Sequence, residues 1–243
     1  MRLTLVRNAT LLMEVAGRRL LLDPALDDAG ARPPVESTPK QRRNPLVPLP
    51  VPAEEVVRGL DAVLVTHVHR DHLDETAERL LPRDVPVFCQ PEDEERLRGL
   101  GLDARPVAAS LDWDGLTIAR TGGRHGTGEL GRALGPVSGF VLRAADEPAV
   151  YVAGDTIWCP EVEAVIADHH PDVVVVNASG ARFLEGGPIV MTADDVAEVA
   201  ARVPTVVAVH LEAINHCLET RADVRARVPA ALVPEDGETL ELA

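Results

Sequence analysis

The chain has 243 residues, of which 46% are apolar and 26% charged, so it can bury one large core and is not a disordered chain. A formal net charge of -15 and a set of only three Phe, two Trp and one Tyr argue against a protein that coats nucleic acid or an anionic membrane surface. The three cysteines form no Cys-x-x-Cys pair and no window reaches the roughly 18 apolar residues of a membrane span, so we expect a cytoplasmic protein with reduced thiols.

The first predicted elements are three short strands over residues 3–6, 11–15 and 19–22, separated by turn signals at Asn8 and Gly17. This spacing predicts a β-meander, which ends at Asp23-Pro24. Residues 27–52 follow and contain seven prolines, which block both a helix interior and a sheet ladder. We therefore expect a long surface loop here, of the kind that can act as a lid.

Beyond residue 60, predicted strands alternate with predicted helices. Residues 62–65 form a continuous apolar run that is typical of a strand covered on both faces. Thr192 with Asp195 three residues later is a helix N-cap signal. Further strands are predicted over residues 116–119, 139–143, 149–153, 173–176 and 206–209, and helices over residues 74–81, 92–100, 160–168 and 192–203. The alternation predicts one layered α/β domain over residues 1–243.

Four of the predicted strands end one or two residues before a polar side chain of a metal-binding type. These side chains are His67, Asp155, Asn177 and His210. Residues that follow strands in this way share one rim of a sheet, where rigid elements hold them in fixed positions. The pattern therefore predicts a functional site along that rim.

The densest group of such residues is Thr-His-Val-His-Arg-Asp-His at positions 66–72. It holds three of the eight histidines of the chain together with one aspartate. Imidazole and carboxylate groups are preferred ligands of zinc and similar divalent cations, and a tight loop after a strand can direct several of them inward. The segment predicts a metal site.

These residues resemble the metallo-β-lactamase superfamily. Its signature H-x-H-x-D-H is matched by His67, His69, Asp71 and His72. Later landmarks of the superfamily follow in order, namely a glycine-rich loop with a histidine at position 125, a Gly-Asp-Thr turn at 154–156, and a last strand before position 210. The segment Asn8-Ala9-Thr10 and the later Asp23-Pro24 are most similar to the UlaG-like branch, although that branch usually has Gly-His where this chain has Arg7-Asn8.

The resemblance implies an αββα sandwich of two mixed β-sheets flanked by helices, with a site for two divalent metal ions at one edge. Zinc is the expected metal, with manganese or iron as alternatives. The resemblance implies that the first ion is held by His67, His69 and His125, that the second is held by Asp71, His72 and His210, and that Asp155 bridges the two.

Other polar residues have roles near the ions. We expect Asp71 also to orient the attacking hydroxide or to accept its proton. Asn8 and Asn177 lie at strand ends, where they would touch substrate or support a ligand. His216 competes with His210 for the last ligand position. His210 is favoured because it directly follows the predicted strand, which leaves His216 as a contact of the substrate or of a ligand.

The implied activity is hydrolysis by a metal-activated hydroxide, acting on a small-molecule ester, lactone or phosphoester. Two alternatives are an iron-dependent redox or oxygen-activating enzyme on the same fold and a non-catalytic, metal-stabilised sensor. The expected partner is a small-molecule substrate, with neither nucleic acid nor a membrane, and a homo-oligomer is compatible with the sequence.

Overall fold

A seven-stranded sheet and a six-stranded sheet lie face to face in the computed structural model, which describes residues 1–242. The first sheet is built from β1 (Arg2–Arg7), β2 (Thr10–Val15), β3 (Arg18–Leu22), β4 (Ala62–Val65), β5 (Pro86–Cys89) and β6 (Asp103–Pro106). The second sheet is built from β7 (Ser110–Trp113), β8 (Leu116–Gly122), β9 (Ser138–Ala144), β10 (Val150–Val152), β11 (Val173–Asn177) and β12 (Thr205–Val209). The last strand, β13 (Thr239–Glu241), returns to the first sheet beside β1.

Each sheet has an antiparallel half and a parallel half. In the first sheet, β1, β2 and β3 form the predicted meander, and β3 to β6 run parallel. In the second sheet, β7 to β10 are antiparallel and β10 to β12 are parallel. The parallel halves bring several strand carboxyl ends to one edge, which is where open α/β sheets place their sites.

Seven α-helices accompany the sheets in the described residues. They are α1 (Ala53–Val56), α2 (Glu75–Leu80), α3 (Glu94–Gly99), α4 (Gly128–Leu134), α5 (Pro160–His169), α6 (Ala193–Ala200) and α7 (Arg221–Arg227). None of the helices in residues 1–242 has the length and apolar character needed to cross a lipid bilayer.

Buried apolar side chains fill three layers. Leu64 and Phe140 belong to the core between the sheets. Leu97 of α3 packs on the outer face of the first sheet, while Val162 of α5 and Val196 of α6 pack on the outer face of the second. The predicted αββα sandwich is therefore confirmed.

The sequence predicted the long elements better than the short ones. Thr192 and Asp195 form a reciprocal capping box at the start of α6, as the N-cap signal indicated. The helix ends at Ala200, earlier than predicted, since the residue before Pro204 is disfavoured in a helical conformation. Strands β5, β6, β7 and β13 and helices α1, α4 and α7 were not predicted, and all of them span seven residues or fewer.

The proline-rich segment, residues 27–52, contains neither a helix nor a strand, and a single bridge between Arg32 and Asn44 closes its outer part. Its base is held by Arg7, whose buried guanidinium donates to the carbonyls of Ala25, Asp27 and Val47. The segment is thus a loop tied to the body of the protein. Its role as a lid stays a prediction.

Candidate metal centre

The ligand-type side chains predicted from the sequence converge at the edge formed by the strand carboxyl ends. The loop 66–72 follows β4, and His125 lies shortly after β8. Asp155 follows β10 and His210 directly follows β12. Their ligand atoms form two sets, and the atoms of each set lie within 4.8 Å of one another. The first set is His67, His69 and His125. The second set is Asp71, His72, Asp155 and His210.

Asp155 lies between the two sets. Its Oδ2 atom is 3.6 Å from His125 Nε2 and 3.9 Å from His67 Nε2. Its Oδ1 atom is 3.3 Å from His72 Nε2 and 3.7 Å from His210 Nε2. A buried carboxylate with one oxygen towards each set of imidazoles has the arrangement needed to bridge two cations.

Two buried imidazole nitrogens show that the site suits metal ions. His72 Nε2 and His210 Nε2 are inaccessible to solvent and have no hydrogen-bond partner. A buried polar atom in this state is costly unless a ligand or ion completes it. Imidazole nitrogens and carboxylate oxygens are also the donors that zinc, manganese and iron accept. The residues present therefore fit a metal centre.

Asp23 holds His72 from behind, a role that the sequence analysis missed. Asp23 Oδ2 lies 2.8 Å from His72 Nδ1 and accepts a hydrogen bond of 2.8 Å from Thr66 Oγ1. Its other oxygen accepts from the backbone N–H of Thr66. A carboxylate on Nδ1 leaves the Nε2 lone pair of the imidazole free for a cation. The signal was present, because Asp23 directly follows an apolar strand and Asp155 also lies shortly after one.

Polar groups also hold the other imidazoles and the central carboxylate. His125 Nδ1 lies 2.8 Å from the carbonyl oxygen of Ile189, and His210 Nδ1 lies 3.3 Å from Ser179 Oγ. Asn177 Nδ2 donates to Asp155 Oδ1 at 2.6 Å. The structure therefore places Asn177 against a candidate ligand. Such supporting contacts fix ring orientation and ligand basicity.

Asn8 links two of the strand-end segments. Its carbonyl accepts from the backbone N–H of His210 at 2.8 Å, and its Nδ2 donates to the carbonyl of Asp71 at 3.1 Å. His210 itself has a φ of +62°, in the left-handed region that few non-glycine residues adopt. Asn8 thus contributes by fixing the backbone of two candidate ligands, one of them in a strained conformation.

The electrostatics of the cluster favour positive charge between the carboxylates. Burial alone would lower the pKa of His72, but Asp155 and Asp23 outweigh burial and raise this pKa to about 10. Burial alone would raise the pKa of Asp155, but His72 and His210 bring it well below its usual range. Without metal, protonated imidazoles supply the positive charge, and bound cations would replace those protons.

We expect the metal-free protein to lose stability as the pH rises from about 6.5 towards about 10. The pKa of His72 is higher in the folded than in the unfolded chain. Its contribution to folding stability is therefore complete below the pKa of the unfolded chain and is lost as the pH rises through the pKa of the folded chain. Bound cations remove this dependence. Calorimetry of chelator-treated and metal-loaded protein should show the Tm gap widening by about 4 °C or more, since 1 kcal/mol moves Tm by roughly 2–4 °C in a domain of this size. A constant gap would contradict the expectation.

A cavity of about 220 Å³ opens beside the cluster. Four apolar side chains contribute to its wall, namely Val35 of the proline-rich segment, Leu134 of α4, Phe183 and Ile189. Arg70 is the arginine at this cavity, and its guanidinium lies 3.4 Å from Glu75 and 3.6 Å from Glu78. The candidate ligands that reach the cavity are His69, Asp71, His125 and Asp155.

His216 also lines this cavity but belongs to neither set of candidate ligands. It is 6% exposed, and its Nδ1 is buried without a hydrogen-bond partner. Burial lowers the pKa of His216, so the imidazole is neutral near pH 7. The structure therefore brings His210 into the cluster and leaves His216 at the cavity wall.

An αββα sandwich with this cluster of histidines and aspartates on its edge defines a protein of the metallo-β-lactamase fold with a candidate metal site. The family model of the β-lactamase superfamily domain matches residues 18–211. UPF0173 protein YddR of Bacillus subtilis is 35% identical over 98% of this chain and 99% of its own length. The chain therefore belongs to the β-lactamase superfamily and, within it, to the UPF0173 family of metal-dependent hydrolases.

Two solved structures are similar over almost their whole length. A protein of Veillonella parvula, described as a possible metal-dependent hydrolase, is 35% identical with a TM-score of 0.96 and covers 100% of this chain and 99% of its own. An isothiocyanate hydrolase from Delia radicum gut bacteria is 37% identical with a TM-score of 0.94 and the same coverage. Both carry the fold of this chain, and both are described as hydrolases.

Proposed function

We propose that this protein is a hydrolase with two divalent cations that acts on small, uncharged molecules with an electrophilic carbon, isothiocyanates first among them. The observation that carries the proposal is a cluster of two ligand sets around Asp155 that opens onto a small cavity with a partly apolar wall. The proposed ligands are His67, His69 and His125 for one ion, Asp71, His72 and His210 for the other, and Asp155 for both.

Zinc is the metal that we propose, with manganese and iron as the alternatives to be separated by elemental analysis. Two cations held by these ligands would lower the pKa of a water molecule and polarise the substrate. Asp71 reaches both the cluster and the cavity, and its Oδ2 lies 3.3 Å from His210 Nε2. We assign to Asp71 the orientation of the attacking water and the acceptance of its proton.

The cavity favours a small neutral substrate over a phosphoester. About 220 Å³ holds only a small molecule, and Val35, Leu134 and Phe183 offer it apolar contacts. Arg70 is already close to Glu75 and Glu78, so the cavity offers little uncompensated positive charge to a phosphate group. The full-length similarity to an isothiocyanate hydrolase supports the R–N=C=S group as the substrate. This group is linear, uncharged and electrophilic at its central carbon.

Isothiocyanate hydrolysis balances with one water molecule. The water oxygen forms a bond to the central carbon, one water proton ends on the nitrogen and the other on the sulfur, which gives the thiocarbamic acid R–NH–C(=O)–SH. Cleavage of the C–N bond, with transfer of the thiol proton to nitrogen, then releases the amine R–NH₂ and carbonyl sulfide. Carboxylic esters and lactones present a carbon electrophile to the same site. An iron-dependent redox reaction and a sensor role gain no support from the full-length relatives, and placement in the UlaG-like branch stays a prediction.

The test combines metal analysis with a substrate panel. Protein reconstituted with zinc, manganese or iron should hold about two ions per chain, because seven candidate ligands exceed the need of one tetrahedral ion. The panel contains small isothiocyanates, lactones, carboxylic esters and phosphodiesters, with amine release as the readout for the first class. We expect metal-dependent turnover of isothiocyanates and little turnover of phosphodiesters. Well under one ion per chain would contradict the two-cation site, and a preference for phosphodiesters would overturn the substrate class.

A further inference from the structure

Leu134, the last residue of α4, lies on the apolar wall of the cavity beside the candidate metal ligands. It is partly exposed, so the residue offers apolar surface to the open space of the cavity. Asp71 and Asp155 lie at the same cavity, and the reacting group of a substrate must lie against them. The rest of the substrate then lies along the apolar wall, to which Leu134 belongs.

Leu134 also lines a second, smaller pocket of about 100 Å³. The cavity and this pocket share two lining residues, His69 and Leu134. Gln90 and Asp93 contribute polar groups to the wall of the smaller pocket, where Gln90 Nε2 donates to Asp93 Oδ2 at 2.9 Å. Leu134 and His69 therefore lie between the cavity with the apolar wall and a pocket that contains polar groups.

Hydrogen bonds to the site hold the backbone around Leu134. Its carbonyl accepts a hydrogen bond of 3.1 Å from His69 Nε2, while Nδ1 of the same ring lies 3.0 Å from His67 Nε2. Two residues further on, the carbonyl of Pro136 accepts from Gln90 Nε2 at 3.1 Å. All seven residues of α4 are at least partly exposed, so the end of this short helix depends on these bonds for its position.

We propose that Leu134 is a specificity-determining residue, which closes the cavity towards the smaller pocket and so limits the length of the organic group R of the substrate. The proposal rests on the proposed hydrolase function and adds the residue that selects among substrates. A short apolar R group fits against Leu134, Val35 and Phe183. A longer one would have to displace Leu134 or to bury apolar surface against the polar groups of Gln90 and Asp93.

Four variants separate selection of the substrate from packing of α4. Leu134→Ala truncates the side chain to a methyl group and should lengthen the cavity, whereas Leu134→Phe should shorten it. Leu134→Met conserves the volume and should leave the cavity as it is. The matched control is Leu130→Ala, because Leu130 lies one turn earlier on α4 and packs against the same buried cluster, outside the cavity wall. Metal content should be the same in all four variants, since Leu134 contacts His69 through its backbone carbonyl.

The first measurement is kcat/KM for straight-chain alkyl isothiocyanates from methyl to hexyl. We expect kcat/KM of the wild type to rise with chain length to an optimum and then to fall. In Leu134→Ala the optimum should move to a chain longer by at least one methylene, and the hexyl-to-ethyl ratio of kcat/KM should rise about 10-fold or more. Leu134→Phe should move the optimum to a shorter chain, and Leu134→Met and Leu130→Ala should leave it in place. An unmoved optimum in Leu134→Ala, or an equal loss at every chain length, overturns the proposal.

A binding measurement keeps this inference separate from the proposed function. Straight-chain alkanethiols, whose thiolate binds zinc, are titrated into zinc-loaded protein and followed by calorimetry. We expect the affinity for the wild type to rise about fourfold with each methylene until the cavity is filled, and to continue rising for at least one further methylene in Leu134→Ala. If the wild type hydrolyses nothing in the panel, the proposed function fails while this titration still tests Leu134. The same dependence on chain length in wild type and Leu134→Ala overturns the proposal.

Discussion

Replacing Asp155 by asparagine is expected to abolish hydrolysis and to release most of the bound metal. The side chain is 2% exposed and lies between both sets of candidate ligands, so its negative charge serves both cations. Asparagine has nearly the same shape, but it lacks the negative charge. Its NH₂ group replaces one carboxylate oxygen and cannot bind a metal ion. We expect bound metal to fall from about two ions to below one per chain and kcat/KM to fall about 1,000-fold or more.

The control for this prediction is Asp84→Asn. Asp84 is exposed in the loop before β5, at the sheet edge away from the site, and its substitution should leave metal content and turnover unchanged. Circular dichroism of the Asp155→Asn protein should show the wild-type fold, because the substitution conserves volume. A variant that keeps two ions would contradict the assignment of Asp155 as the shared ligand.

Replacing Arg7 by methionine is expected to lower the free energy of unfolding by about 3–5 kcal/mol. The Arg7 side chain is 1% exposed and donates to the carbonyls of Ala25, Asp27 and Val47 at 2.8, 2.9 and 3.0 Å. Methionine fills much of the space but offers no donor, so these carbonyls would lose their partner, two of them in buried hydrogen bonds. Urea unfolding of wild type and variant measures the difference directly.

Arg58→Met provides the matched comparison, because Arg58 is exposed after α1 and its loss should change stability by under about 0.5 kcal/mol. Arg7→Met should also loosen the base of the proline-rich segment and raise KM, since Val35 of that segment lines the cavity. A change in unfolding free energy below 1 kcal/mol would show that other contacts hold the loop.

Features that depend on neighbouring residues in the chain could be predicted without a structure. His67, His69, Asp71 and His72 share one short loop after a buried strand, so their spacing alone brought them together. The meander, the long apolar strands and the Thr192 cap could be predicted from the sequence for the same reason. Local periodicity and capping chemistry are properties of a few consecutive residues, and they need no knowledge of the rest of the fold.

The residues that support the site from distant parts of the chain were identified from the folded structure. Asp23 lies against His72 across 49 positions, and Asn8 lies against Asp71 across 63 positions. The stacking of the two sheets also determines which oxygen of Asp155 faces each set of ligands. It likewise places His216 on the cavity wall. These contacts follow from the order of the strands and the packing of the two sheets. Both depend on the apolar surface buried throughout the core, which local sequence patterns do not specify.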